Sequence, residues 1–146
     1  MITERVYDKW MEKTQCKKIE KILNKVRPEG RILDVGSGPG FLERFIDAVA
    51  TDVDLKNLRG VEGPKVLCSG DALPFKGKSF DWVFCIDTVH KLRDTDELKR
   101  VGKRLVVTMF CNESNAEERM EELGKIGDGE LFLVKAEREW DAVLVV

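Results

Sequence analysis

Residues Arg31–Val35 (RILDV) run without a break into Gly36–Gly40 (GSGPG). A short apolar run closed by a Gly/Pro cluster reads as a strand ending in a tight turn. Glycines in such a turn remove the Cβ atoms that would keep a ligand off the backbone, and they permit positive φ. A helix opening directly after the turn would present unpaired N–H groups to an anionic moiety. In open α/β sheets ligands bind at the carboxyl ends of the strands, where strand order reverses. This one junction therefore constrains both the architecture and the place to look for a site.

The rest of the chain fits that architecture. Apolar residues at Val6, Trp10, Ile19, Ile22, Leu23 and Val26, with lysines on the other face, predict a helix over Thr3–Val26, stopped by Pro28 and Gly30. After the glycine turn, Phe41–Asp47 reads as a helix, Ala48–Val53 as a strand, Leu55–Arg59 as a short helix capped by Asp54, and Lys65–Ser69 as a third strand. Phe80–Ile86 and Arg104–Phe110 are strands separated by a helix over Asp94–Gly102. A charged helix over Asn112–Ile126 follows, capped by Asn112 or Ser114, and then two strands, Glu130–Lys135 and Trp140–Val146. The runs VLC, WVFCI and LVV lack polar alternation, as strands covered on both faces should. Alternating strands and helices predict a doubly wound, mostly parallel seven-stranded sheet with helices on both faces. The last two strands are joined too tightly for a crossover, so they form an antiparallel hairpin.

Composition narrows the function classes. The 25 Lys+Arg and 27 Asp+Glu nearly cancel, so strong stand-alone binding of nucleic acid is not expected. No apolar run approaches the ~18 residues of a membrane helix, and the charged residues 1–18 do not read as a signal peptide, so a cytoplasmic location is expected. Cys16, Cys68, Cys85 and Cys111 are widely spaced beside a single histidine, which argues against a structural zinc site. Cys68 and Cys85 fall in apolar runs and read as small core residues.

The glycine turn also discriminates among ligands. A phosphate loop needs a Gly-Lys-Ser/Thr ending, absent here. A dinucleotide turn needs G-x-G-x-x-G, whereas these glycines stand at 36, 38 and 40, with Phe at 41. Asp34, two residues before the first glycine, would repel a pyrophosphate yet suits an ammonium group. With LDVGSGPG, an acid at Asp52 ending the second strand, the Gly70–Phe75 stretch (GDALPF) and Ser79–Val83 (SFDWV) in order, the chain resembles the class I S-adenosylmethionine-dependent methyltransferases of the small DxGxGxG type. Tyr7–Trp10 (YDKW) is similar to a Y-D-x-W helix that in the family can fold over the cofactor.

The resemblance implies a single domain over residues 1–146, with an N-terminal helix at 1–27 and a Rossmann-like core at 31–146. It implies that S-adenosylmethionine is the cofactor and S-adenosylhomocysteine the product. Asp34 would contact the amino group, with Gly36, Ser37, Gly38, Gly40 and Phe41 along the loop. Asp52 would take the ribose hydroxyls beside Val53, and Asp71 the adenine amino group beside the Ala72 N–H. Asp87 would face the cofactor through its backbone. His90, the lone histidine, is the candidate catalytic group; helix packing or capping is its alternative. No metal is implied. The family's N/D-P-P-Y/F motif is replaced by Ile86–Val89 (IDTV), which disfavours nucleobase or glutamine nitrogen as acceptor. The function implied is in-line methyl transfer to an unidentified acceptor, one that is large or is met by a site completed by a partner or second copy. The alternative is a non-catalytic cofactor-binding or partner-stabilising subunit. Trp10, Met11, Trp82 and Phe110 are candidates for an apolar partner surface, against the competing expectation of core packing.

Overall fold

Six of the seven residues of Phe80–Ile86 are buried, Asp81 being the exception, and such a strand needs neighbours on both edges and layers on both faces. The structure, a computed structural model, describes residues 4–146. Thr3, the expected first helical residue, and the side chains of Val6 and Tyr7 lie outside the described residues. Helix α1 (Glu4–Val26) leads into β1 (Ile32–Val35), β2 (Val49–Asp52), α2 (Leu55–Arg59), β3 (Lys65–Leu67) and β4 (Phe80–Ile86). Then come α3 (Asp96–Val101), β5 (Gly102–Cys111), α4 (Ala116–Gly124), β6 (Glu130–Ala136) and β7 (Glu139–Val145). The sheet order is β3-β2-β1-β4-β5-β7-β6; the first five strands are parallel and β7 runs antiparallel to both neighbours. The chain first builds outward from β1 to β3 and then jumps to β4 on β1's other edge. The reversal of strand order therefore falls at β1/β4, where the glycine turn emerges.

Period-two alternation splits the core into two layers. Leu33, Val83, Cys85, Leu105, Val107, Ala142 and Leu144 face α3 and α4. Ile32, Trp82, Phe84, Val106, Val143 and Val145 face the side covered by Ile19 and Ile22 of α1. By the same alternation Asp34, Thr108 and Asp141 face the α1 side, and all three are buried, as are Thr14 and Lys18 of α1 itself. The α1 layer thus carries a polar seam near the carboxyl ends of the strands.

Four expectations need correction. Phe41–Asp47 does not form a helix; Leu42–Arg44 makes a single 3-10 turn, with Arg44, Phe45 and Ile46 donating to the Phe41 and Leu42 carbonyls. Leu42 is the one buried residue of the turn and Phe45 is 40% exposed, so the segment has no continuous apolar stripe to hold a longer helix on the core. The third strand stops at Leu67 and lies at the sheet edge, so VLC is not buried on both faces; Leu67 is 54% exposed and Cys68 half-buried. The last long helix starts at Ala116, and Asn112 instead organises the preceding turn by accepting from the N–H groups of Ser114 and Asn115. Lysines do not all fill the solvent face of α1, because Lys18 is only 1% exposed. Of the candidate surface aromatics, Trp82 belongs to the core beneath Arg104, while Trp10 and Phe110 stand exposed. No helix among the described residues is long and apolar enough to cross a membrane.

Candidate functional site

The turn after β1 is held by β2: the N–H groups of Gly36 and Ser37 both donate to the Thr51 carbonyl, at 2.9 and 2.8 Å. Gly36 sits at φ +76°, and a Cβ there would lie 2.4 Å from Thr88 Cγ2, so the loop is pressed against the residue that follows β4. Gly38, at φ +56°, has open space where a Cβ would be. Its N–H donates to Asp52 Oδ2 at 2.9 Å. The loop is thus pinned on one side and bare on the other, and its bare backbone forms the wall shared by two cavities.

The larger cavity, about 440 Å³, lies between the loop, the end of β2 and the segment after β3. That is the size range of small-molecule sites. Asp52 and Asp71 stand on its walls with Val53, Thr88 and Leu92. Asp52 Oδ1 accepts from Asp54 N and Oδ2 from Gly38 N, both at 2.9 Å. A carboxylate offers about four lone-pair positions, so two remain for a ligand. Asp71 Oδ1 accepts from Arg93 N at 2.9 Å, which ties the loop after β3 to the chain beyond β4. The acidic lining is suited to hydroxyl and amino donors and unsuited to a phosphate.

The smaller cavity, about 150 Å³, lies on the α1 side of the same loop and is lined by Asp34, Ser37, Phe41 and Gln15 of α1. Asp34 is 2% exposed, and burial, followed by the charge of Glu43, pushes its pKa well above the ordinary aspartate value. Burial also raises Glu43, whose two carboxylate oxygens are shut off from solvent with no obligate donor from any other described residue.

Beyond β4 the polar seam closes into a cluster. Lys18 Nζ lies 3.0 Å from Asp141 Oδ1 and 3.3 Å from Asp87 Oδ2. Thr108 Oγ1 donates to Asp87 Oδ1, and Gln15 Nε2 to Asp87 Oδ2. Asp87 sits at φ +53°, a conformation a non-glycine residue holds only when its surroundings fix it. Burial lowers the pKa of Lys18, but the charges of Asp87 and Asp141 more than offset this and hold it charged. Asp141 is fully buried, with one oxygen unpartnered; burial, then the Asp87 charge, lifts its pKa to about 8. A carboxyl group titrating higher in the folded than in the unfolded protein binds more protons when folded. Its contribution to stability is therefore full below pH ~4 and is lost as pH rises toward about 8. The loss is at most about 1.4 kcal/mol per pH unit. Asp141→Asn is expected to flatten that slope, as read from urea denaturation at a series of pH values.

Gly36 and Gly38 line both cavities; Asp34, Ser37 and Phe41 line the smaller, and Asp52, Val53 and Asp71 the larger. Gly40, Ala72, Asp87 and His90 line neither of these two cavities. A Cβ at Gly40 would sit 2.9 Å from Val61 Cγ2, so this glycine serves packing. Ala72 is exposed, and its N–H donates to Ser69 O within the turn. The side chain of Asp87 is committed to Lys18, Gln15 and Thr108, and its N–H donates to Thr108. His90 is exposed on the 3-10 turn Val89–Lys91. Sequence reasoning missed Gln15, Lys18, Glu43, Thr88 and Asp141. Of these, Lys18 left a signal, since it lies four residues from both Thr14 and Ile22 on the buried stripe of α1.

Comparison with known proteins places this geometry. A family model described as "Methyltransferase domain" matches residues 33–107, from β1 through most of β5. Among curated proteins, a ubiquinone/menaquinone biosynthesis C-methyltransferase of Burkholderia mallei is 31% identical over 109 residues, covering 58% of this chain. The chain spans 45% of the length of that relative. Among solved structures, a Thermotoga maritima S-adenosylmethionine-dependent methyltransferase, described as a possible histamine N-methyltransferase, superposes with a TM-score of 0.66 at 15% identity, covering 95% of this chain and 93% of its own. An Aquifex aeolicus S-adenosylmethionine-dependent methyltransferase gives 0.65 at 22% identity, with 92% of each chain covered. The magnesium protoporphyrin IX methyltransferase of Synechocystis, solved with bound S-adenosylmethionine, gives 0.61 at 11% identity, covering 99% of this chain and 84% of its own. At these identities the structural likenesses establish the fold.

Proposed function

The chain belongs to the methyltransferase-domain family, whose cofactor is S-adenosylmethionine, and from that premise we propose that it catalyses methyl transfer from this cofactor to an acceptor by in-line displacement. When bound, the cofactor supplies a methyl group made electrophilic by its sulfonium and a thioether that leaves readily. The residues present fit it. Gly38 leaves its backbone bare, Asp52 keeps two lone-pair positions for ribose hydroxyls, and Asp71 stands across the larger cavity to meet an adenine amino group. Asp34 lines the smaller cavity, where an ammonium group finds a carboxyl partner. The observation that carries this reading is one glycine loop walling two cavities, with carboxyl groups on both sides of it. The protein's own contribution is alignment, since displacement at a methyl group needs proximity above all.

The acceptor side is read more coarsely. Trp10 and Phe110 are 36% and 48% exposed, and Phe110 lies near Lys18, 5.4 Å from its ammonium to the ring centroid, beside the Asp87 cluster. That surface supports a large acceptor, or a partner or second copy that completes the site. Where the acceptor atom carries a proton that must leave, His90, exposed on the turn after β4, is the candidate side chain to receive it.

Calorimetric titration with S-adenosylmethionine, S-adenosylhomocysteine and NAD tests the cofactor. The first two should bind and NAD should not. Asp52→Ala removes charge-assisted hydrogen bonds worth about 1.5–2 kcal/mol, an expected affinity loss of about 10–30-fold. Binding of NAD alone would overturn the reading. Cofactor binding without methyl transfer to any acceptor offered, in the presence of cell extract, would favour a cofactor-binding subunit.

A further inference from the structure

Glu43 poses a chemical question that the cofactor reading leaves unanswered. Both of its carboxylate oxygens are shut off from solvent, and no other residue among those described is an obligate donor to them. The side chain within hydrogen-bonding reach is another carboxyl, that of Asp34, itself 2% exposed on the wall of the smaller cavity. Two ionised carboxylates only accept, so they can bond to each other only if one carries a proton. Two like charges this close and this poorly solvated cannot both ionise without a compensating cation.

Among the described residues the surroundings supply none. Asp52, at the end of β2, adds negative charge on Asp34. Cys85, on the neighbouring β4, is buried with its thiol held protonated by burial and by the nearby carboxylates. Arg44, next to Glu43 in sequence, is taken by Glu12 of α1 and also faces Cys16. Lys18 of α1 is committed to Asp87 and Asp141.

We propose that Asp34 and Glu43 hold one proton between them in the free protein, Asp34 donating to Glu43, and give it up to water when the ammonium of the cofactor's amino-acid part enters the smaller cavity. This rests on the cofactor reading above and adds to it a positioning residue, Glu43, which acts through Asp34. The charges balance. The free pair carries one proton and a net charge of −1; the loaded site carries two carboxylates and one ammonium, again −1. A proton is exchanged for an ammonium, and the site keeps its net charge. Because the loaded state holds one proton fewer, affinity for an ammonium-bearing ligand falls by up to about tenfold per pH unit below the titration of the free pair. Above that titration it levels off.

The test is calorimetry with S-adenosylhomocysteine at pH 6.5 in buffers of different ionisation enthalpy, whose slope counts protons released. At that pH the ligand's own amine, ordinarily near 7.7–8.0, stays protonated. The slope should report release, up to one proton per site. 5′-Methylthioadenosine, which keeps the nucleoside and lacks the amino-acid part, should bind with no release. In Glu43→Gln the release should drop by half or more and the pH dependence of affinity should flatten, while 5′-methylthioadenosine still binds and so reports an intact fold. Binding of S-adenosylhomocysteine with a buffer-independent enthalpy overturns the proposal and leaves the cofactor reading standing, as does unchanged release from Glu43→Gln. Failure of S-adenosylhomocysteine to bind overturns both.

Discussion

Lys18→Met should cost this protein about 3–5 kcal/mol of stability. A stable domain has only about 5–15 kcal/mol in all. The reason is arithmetic of charge in a place without water. Lys18 is 1% exposed and is the cation shared by Asp141, fully buried, and Asp87, mostly buried. Methionine fills similar volume and removes the charge, so the loss is electrostatic rather than a cavity. The Asp87 carboxylate is then left with Thr108 and Gln15 as its donors, and the buried Asp141 carboxyl loses Lys18, the donor to its Oδ1. Urea denaturation followed by circular dichroism reads the effect as a lower midpoint with an unchanged slope. The triple variant Lys18→Met, Asp87→Asn, Asp141→Asn should recover much of the loss, because a seam with no charges has none to orphan. A single variant within 1 kcal/mol of the parent would show that the cluster is solvated by other means.

The largest effect on ligand affinity is expected at Gly36. Gly36→Ala forces a side chain onto φ +76° and sets its Cβ within 2.8 Å of three Thr88 atoms. The conformation alone costs about 1–3 kcal/mol. The obstruction adds to it, and the loop can yield only by shifting the wall common to both cavities. A loss of cofactor affinity of at least about 100-fold, or 2.7 kcal/mol, is expected by calorimetry. The two causes separate experimentally. Thr88→Gly clears the obstruction without altering φ, so the double variant should regain about tenfold and no more. Full recovery would mean that the dihedral is not under strain, and no recovery that the contact with Thr88 is immaterial.

Much of the architecture was legible because the strands announce themselves. WVFCI and LVV have no polar alternation, and each became part of a strand covered on both faces. The glycine turn marked the switch point correctly, since only a strand end delivering chain into a left-handed turn calls for glycines at 36, 38 and 40. The helix over Phe41–Asp47 failed for a reason that local propensity does not contain: Leu42 is buried but Phe45 stands exposed, so the segment packs one turn and no more. Leu67 reads like any core leucine until the sheet order puts β3 at an edge. Asp34, Asp52 and Asp71 were readable as acids at strand ends, and they do stand on the cavity walls. Lys18 and Asp141 were not readable as a pair, because 123 residues separate them and nothing in either neighbourhood reports the other. Glu43 was invisible for a related reason: its importance comes from which carboxyl it faces.

The position of β7 inside the sheet bears on how the chain is made. β7 follows β6 in synthesis yet is interposed between β5 and β6, and α1, made before every strand, packs on those two late strands. Until residue 145 has left the ribosome, β5 presents an unpaired flank from Val106 to Cys111, and the apolar face of α1 lacks the part of its cover that β6 and β7 supply. An open strand flank is a template for pairing with another chain. Translation proceeds at roughly 5–20 residues per second. The nascent protein therefore passes through an interval of seconds in which its β1–β5 half is complete and adhesive, and stalled or truncated products in this stretch are the species that should load onto chaperones.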